Sequence, residues 1–110
     1  MIDAQVKRGS AELAILTVLE DGPLHGYEIG KRIENQTGGR LQFTLASLYP
    51  LLYRMETQGW LKAKWENASG TRRRRYYQLT ATGKQRLAPL REQWSQLFHA
   101  LNSLAGATNG

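Results

Sequence analysis

The sequence predicts a mainly α fold with a small β-wing: a winged helix-turn-helix followed by a long C-terminal helix. Three observations predict it. Glycine, proline and capping residues cut the chain into pieces whose order reads helix, helix, strand, helix, hairpin, long helix. The hairpin alternates apolar and polar residues and holds most of the positive charge. The last piece carries an apolar stripe at alternating steps of three and four residues, the spacing of a helical seam.

Ser10 is positioned to cap a first helix, with Glu12 in its first turn, where a carboxylate suits the helix dipole. Leu13, Ile15, Leu16, Val18 and Leu19 make that helix apolar on most sides, so it should be buried, and Asp21-Gly22-Pro23 stops it. A second helix fits residues 26–37, with Ile29 and Ile33 inward, Lys31, Arg32 and Glu34 outward, and Gly38-Gly39 as its end. Leu41-Gln42-Phe43 reads as a short strand. In residues 44–59, Leu48, Leu51, Leu52 and Met55 follow the i, i+3, i+4, i+7 pattern and share one helix face. Ala46, Tyr49, Pro50, Tyr53, Arg54 and Thr57 fall on the opposite face, and Gly59 with Trp60 closes the helix. Its start is either Thr44 or Ser47. With Ser47 as cap, Pro50 lies in the first turn, where a missing N–H costs little; with Thr44 as cap it lies deeper and should bend the helix.

Leu61, Ala63 and Trp65 alternate with Lys62, Lys64 and Glu66 at strand period. Asn67-Ala68-Ser69-Gly70 turns the chain, and residues 72–79 return with Tyr77 and Leu79 on one face. Thr80 or Thr82 caps the final helix. Leu87, Leu90, Trp94, Leu97, Leu101 and Leu104 form its stripe, and Pro89 should introduce a kink or a restart.

A chain of 110 residues, 41% hydrophobic, suits one compact unit. Residues 1–83 are read as the winged helix-turn-helix and 84–110 as a C-terminal dimerisation helix. Without cysteine there is neither disulfide framework nor thiolate metal site. His25 and His99 stand far apart with no carboxylate at metal-ligand spacing, and His25 is expected to be structural. No catalytic triad order, carboxylate pair, phosphate loop or dinucleotide fingerprint is present, so the chain reads as a non-enzyme without cofactor or metal. The N-terminal residues lack a signal-peptide layout and no apolar run is long enough to cross a bilayer, so the expected location is the cytoplasm, with no membrane partner.

The whole chain carries +6. From residue 60 to 86, Lys62, Lys64, Arg72, Arg73, Arg74, Arg75, Lys84 and Arg86 face only Glu66, a net +7, so this stretch holds the entire excess. Four adjacent arginines repel one another unless a polyanion offsets them, and no acidic neighbour in sequence does so. Against a phosphate backbone the repulsion becomes counterion release. Strand alternation sends Arg72 and Arg74 to one side and Arg73 and Arg75 to the other. A wing straddling phosphates or entering a minor groove uses all four; a solvated charged hairpin is the bland alternative. In a helix-turn-helix the second helix of the pair enters the major groove. Here that is the 44–59 segment, with Thr44, Ser47, Tyr49, Pro50, Tyr53 and Arg54 as candidate contacts. Leu90, Trp94, Leu97, Leu101 and Leu104 are the candidate dimer seam, and two Trp94 rings facing across a two-fold axis would suit a small, planar aromatic effector.

Leu24-His25-Gly26-Tyr27-Glu28-Ile29, residues 47–56 (Ser-Leu-Tyr-Pro-Leu-Leu-Tyr-Arg-Met-Glu), Gly59-Trp60, Arg73-Arg74-Arg75-Tyr76-Tyr77-Gln78-Leu79-Thr80 and Gly83 together resemble the PadR family of transcriptional regulators. The resemblance spans roughly residues 10–87. It departs at Leu45-Ala46, where the family usually has an acidic residue and a small one. It implies a dimeric winged-helix repressor of the compact subgroup, closed by a short C-terminal dimerisation helix and bound to a palindromic operator in double-stranded DNA. Some relatives respond to phenolic acids or hydrophobic drugs. Two other readings stay open: a winged-helix module that binds protein rather than DNA, and an RNA-binding protein whose wing follows an A-form backbone.

The charge distribution generates a direct test. If a dimer covers about 6–8 phosphates, log K for duplex DNA falls against log[salt] with a slope of about −5 to −7. Changing Arg73 and Arg74 to Ala flattens that slope; an unchanged slope removes the wing from the interface.

Overall fold

The computed structural model describes residues 4–67 and 73–106, with side chains from Ser10 to Glu66 and from Arg74 to Gly106. Helix α1 (Ala4–Val18) runs into a 3₁₀ turn (Leu19–Asp21). Strand β1 (Leu24–His25), helices α2 (Gly26–Gln36) and α3 (Leu45–Thr57), strands β2 (Leu61–Asn67) and β3 (Arg73–Leu79), and helix α4 (Ala81–Leu104) follow. The result is the expected mainly helical fold with a small sheet.

Four local expectations are corrected. Helix α1 begins six residues before Ser10, because Ala4, Gln5, Lys7 and Arg8 are good helix formers and nothing there stops the chain. Residues 41–43 form no strand. The sheet has the order β1-β3-β2, and Leu24–His25 occupies the edge of β3 with Leu24 opposite Tyr77 and His25 opposite Tyr76. Leu41 and Phe43 instead pack partly buried against the core. Third, α4 does not restart at Pro89 but passes through it as one helix of 24 residues. Fourth, the apolar stripe of α4 is not one surface. Leu87 and Leu90 are buried in the domain's own core with Trp94 packed against them, whereas Leu97, Leu101 and Leu104 are exposed.

Two open choices are settled by hydrogen bonds. Thr44 caps α3, its Oγ1 accepting from the Ser47 N–H at 3.1 Å, so Pro50 lies inside the helix and the Ala46 carbonyl lacks its usual i+4 donor. Thr80, not Thr82, caps α4, accepting from the Gly83 N–H at 3.0 Å.

The core is built where the apolar faces converge. Ile15 and Leu16 of α1, Ile29 and Ile33 of α2, Leu48, Leu52 and Met55 of α3, and Leu61 of β2 are essentially inaccessible. In the hairpin, Leu61 pairs with Leu79, Ala63 with Tyr77 and Trp65 with Arg75 on one face, while Lys62, Lys64 and Glu66 oppose Gln78, Tyr76 and Arg74 on the other.

The joints between these elements are backbone motifs. At the end of α3 the Trp60 N–H donates to the Met55 carbonyl and the Gly59 N–H to the Glu56 carbonyl, both at 3.0 Å, with Gly59 at φ +83°. This is the paired closure that requires a left-handed residue, hence glycine. The Thr80 hydroxyl also donates to the Gly59 carbonyl at 2.6 Å, and its N–H to the Trp60 carbonyl at 3.1 Å. The last turn of α3, the base of the hairpin and the first turn of α4 are therefore tied together. Gly83 lies so close to the Trp60 carbonyl that an added Cβ would overlap it. Gly83→Ala should lower stability by about 1–3 kcal/mol in thermal or denaturant unfolding, despite the better helix propensity of alanine. A neutral or stabilising result would mean that the joint is loose.

Candidate nucleic-acid interface

Helix α3 and the hairpin do not close on each other at their outer ends. Between them, and against the start of α2, lies an open groove of about 780 Å³. One wall is α3, through Leu45, Tyr49, Pro50 and Tyr53; the other is the hairpin, through Trp65, Arg74 and Arg75; His25, Gly26 and Tyr27 line the end. The aromatic rings face out: Tyr53 is 66% exposed, and Tyr27, Tyr49 and Trp65 are about half exposed. Neither tyrosine of α3 is buried under the wing.

The sequence-derived candidates divide by position. Tyr49, Pro50, Tyr53, Arg74 and Arg75 meet in the groove. Thr44 and Ser47 are exposed at the start of α3, with their hydroxyls 3.0 Å apart. Arg54 is exposed but points elsewhere, its guanidinium 3.8 Å from the Glu12 carboxylate of α1. Arg73 contributes its backbone to β3, and Arg72 lies outside the described residues. The arginine run is not unrelieved as its sequence neighbours suggest: Glu56 of α3 reaches Arg75, its two carboxylate oxygens each 2.8 Å from Nη2. Burial pushes the neighbouring Tyr77 phenol up, against the opposing pull of the Arg75 charge.

His25 proves structural and also shapes the site. Its Nδ1 accepts the Glu28 N–H at 3.3 Å, and its own N–H donates to Glu28 Oε1 at 3.4 Å, so histidine takes the part usually played by serine or threonine in a capping box. A neutral imidazole has one lone pair. While Nδ1 uses it for the cap, Nε2 carries the proton, 3.3 Å from Glu28 Oε1. Arg74 Nη1 approaches the same Nε2 at 3.0 Å as a second donor. The Arg74 guanidinium and the Glu28 N–H therefore compete for the one lone pair of the neutral ring.

Sequence reasoning missed Trp65, Tyr27 and Glu56. Trp65 continues the inner face of β2 beyond the core, so alternation alone marks it as inward. Tyr27 follows the cap by two residues, a position that the helical pattern leaves outward. Glu56 precedes its partner by nineteen residues, so no local spacing reveals the pair.

The family model for the transcriptional regulator PadR-like family matches residues 15–89. The chain belongs to that family. This PadR-like regulator superposes on a transcriptional regulator from Clostridium thermocellum with a TM-score of 0.83 and 29% identity, covering 94% of this chain and 97% of that one. A PadR family regulator from Eggerthella lenta gives 0.80 and 30%, covering 96% and 88%. Bacillus subtilis PadR, solved in complex with operator DNA, gives 0.68 and 26%, covering 73% of this chain and 45% of that one. The PadR-like chain is thus a transcriptional regulator with a winged-helix fold, and not an enzyme. Among the described residues no helix is long and apolar enough to cross a membrane, and no group of His, Cys, Asp and Glu is arranged to hold a metal ion.

Gly26 offers a way to perturb the groove from behind. A Cβ added there would sit 2.8 Å from Tyr49 Cε1, so the ring must swing outward. Because the obstacle is the far end of a side chain, Gly26→Ala should change unfolding stability by less than about 1 kcal/mol. Duplex DNA binding should weaken by roughly 3- to 10-fold, read by fluorescence anisotropy. Unchanged affinity would take Tyr49 out of the interface.

Proposed function

We propose that this regulator binds double-stranded DNA sequence-specifically as a homodimer and acts as a repressor, with α3 in the major groove and the hairpin as a wing on the backbone or minor groove. The carrying observation is the groove itself, in which Tyr49 and Tyr53 stand exposed beside Arg74 of the hairpin. Buried and exposed residues separate on α3 as such a role needs: Leu48, Leu52 and Met55 hold the helix to the core, leaving Thr44, Ser47, Tyr49, Pro50 and Tyr53 exposed toward bases and phosphates, while Arg54, exposed but turned toward Glu12, would reach DNA only by leaving that carboxylate. A relative of the same fold, Bacillus subtilis PadR, was solved on operator DNA, which favours DNA over RNA or a protein partner.

The homodimer is supported by α4. Beyond Trp94 its Leu97, Phe98, Leu101 and Leu104 are exposed among the described residues, and a second copy related by a two-fold axis would bury them. Leu90 and Trp94, given over mainly to the domain's own core, fix the angle at which that end projects. Trp94 lies against Phe98, ring centroids 5.6 Å apart. That aromatic pair at the root of the proposed seam is where a planar aromatic effector would act.

Selection of bound sites from random duplex DNA tests the reading. A two-fold palindrome should emerge, with half-sites about 10 bp apart or a multiple of that. Leu97→Asp with Leu101→Asp should give a folded monomer that has lost most of its affinity for the selected site. Recovery of no common sequence, or full affinity in the double mutant, would overturn it.

A further inference from the structure

Arg75 differs from the rest of its run. On β3 it stands opposite Trp65 of β2 and two residues before Tyr77, so all three share the inner face of the hairpin. Its guanidinium carbon lies 5.8 Å from the Trp65 ring centre and 5.6 Å from that of Tyr77, within cation–π range of both. From there Nη2 donates to both carboxylate oxygens of Glu56, while Nε is buried. Two of the three guanidinium nitrogens are thus closed to a phosphate. The side chain is turned into the protein, toward α3.

Glu56 is equally out of place without this partner. It lies in the last turn of α3, where a carboxylate opposes the negative end of the helix dipole. It also puts an anion beside a groove that is to receive a polyanion. Among the described residues, Arg75 is what offsets both costs. The pair is partly buried on both sides, so water screens it less than a surface pair.

Resting on the DNA-binding reading above, the geometry points to Glu56–Arg75 as a latch between recognition helix and wing, with Arg75 a positioning residue rather than a phosphate contact. The latch sets the width of the groove in which Tyr49, Tyr53 and Trp65 stand, so that α3 and Arg74 engage one duplex together. The charge available to DNA from the hairpin is correspondingly smaller than its four arginines suggest.

The test uses the full-length chain and the duplex that the wild-type protein selects. Affinity is measured across a salt series for Glu56→Gln, Arg75→Ala and the swap Glu56→Arg/Arg75→Glu. Each single change should weaken binding about tenfold at every salt concentration without changing the slope of log K against log[salt], and the swap should recover most of the loss. The sign of the Glu56→Gln effect is decisive, because removing an anion near DNA strengthens binding when no latch is involved. Tighter binding by Glu56→Gln, or a slope in Arg75→Ala shallower by about 0.9 per lost phosphate contact, would overturn the latch. Glu56→Gln keeps the side-chain shape and so decides even if Arg75→Ala fails to fold. A wild-type protein that binds no duplex, a result seen before any variant is made, would instead remove the DNA-binding reading and the latch with it.

Discussion

The arrangement depends first on how closely α2 and α3 approach. Gly26 and Gly30 lie one turn apart on α2, and a Cβ on Gly30 would sit 3.1 Å from Leu48 Cδ1. Two missing side chains let Leu48 reach the centre of the core and bring Tyr49 against the first turn of α2. At these two points side chains of α3 pack directly onto the backbone of α2. Everything that faces the groove from α3 inherits its position from that contact. Packing at the core tolerates little adjustment, so a side chain at either glycine would be felt at the outer face of α3.

A second tier of order is polar. The closure at Gly59 and the two bonds of Thr80 tie the end of α3, the root of the hairpin and the start of α4 within a few residues. Beyond its root the hairpin is reached differently, by Glu56 holding Arg75. Helix and hairpin are thus joined twice near the end of α3, by backbone at Gly59 and by charge at Glu56. The middle of α4 is held separately: Arg91 donates to the Glu20 carboxylate at 2.7 Å, and the Arg91 guanidinium holds that carboxyl below its usual range. The pair is well exposed, so it orients α4 more than it stabilises the fold.

Much of this was legible in the sequence because it is periodic or local. The apolar face of α3, the alternation of β2, the closure at Gly59-Trp60 and the stop at Gly38-Gly39 are written within one or two turns of chain. The groove tyrosines were found by subtracting the apolar face of α3. What escaped depends on distance. Strand β1 exists only because β3 passes beside it; two residues carry no strand signal. The choice between Thr44 and Ser47 required a hydrogen bond to be seen. Residues 41–43 have strand composition, but composition cannot tell that the neighbouring edge is already taken. The arginine run shows the limit most clearly. In sequence its four members are equivalent, yet the fold gives Arg75 a carboxylate and two rings while Arg74 is left facing a histidine that can accept only one proton.

Helix α4 divides along its length. Leu87, Leu90 and Trp94 hold it to its own domain, whereas Leu97, Leu101 and Leu104 are exposed among the described residues. The two sets are consecutive in sequence rather than interleaved around the helix. In the proposed dimer, substitutions in the last two turns would therefore alter which chains associate without disturbing the fold that carries them. A genome encoding several such proteins would then keep their subunits from mixing by divergence in those turns alone, and duplicated copies would separate into independent circuits while their domains stay nearly identical.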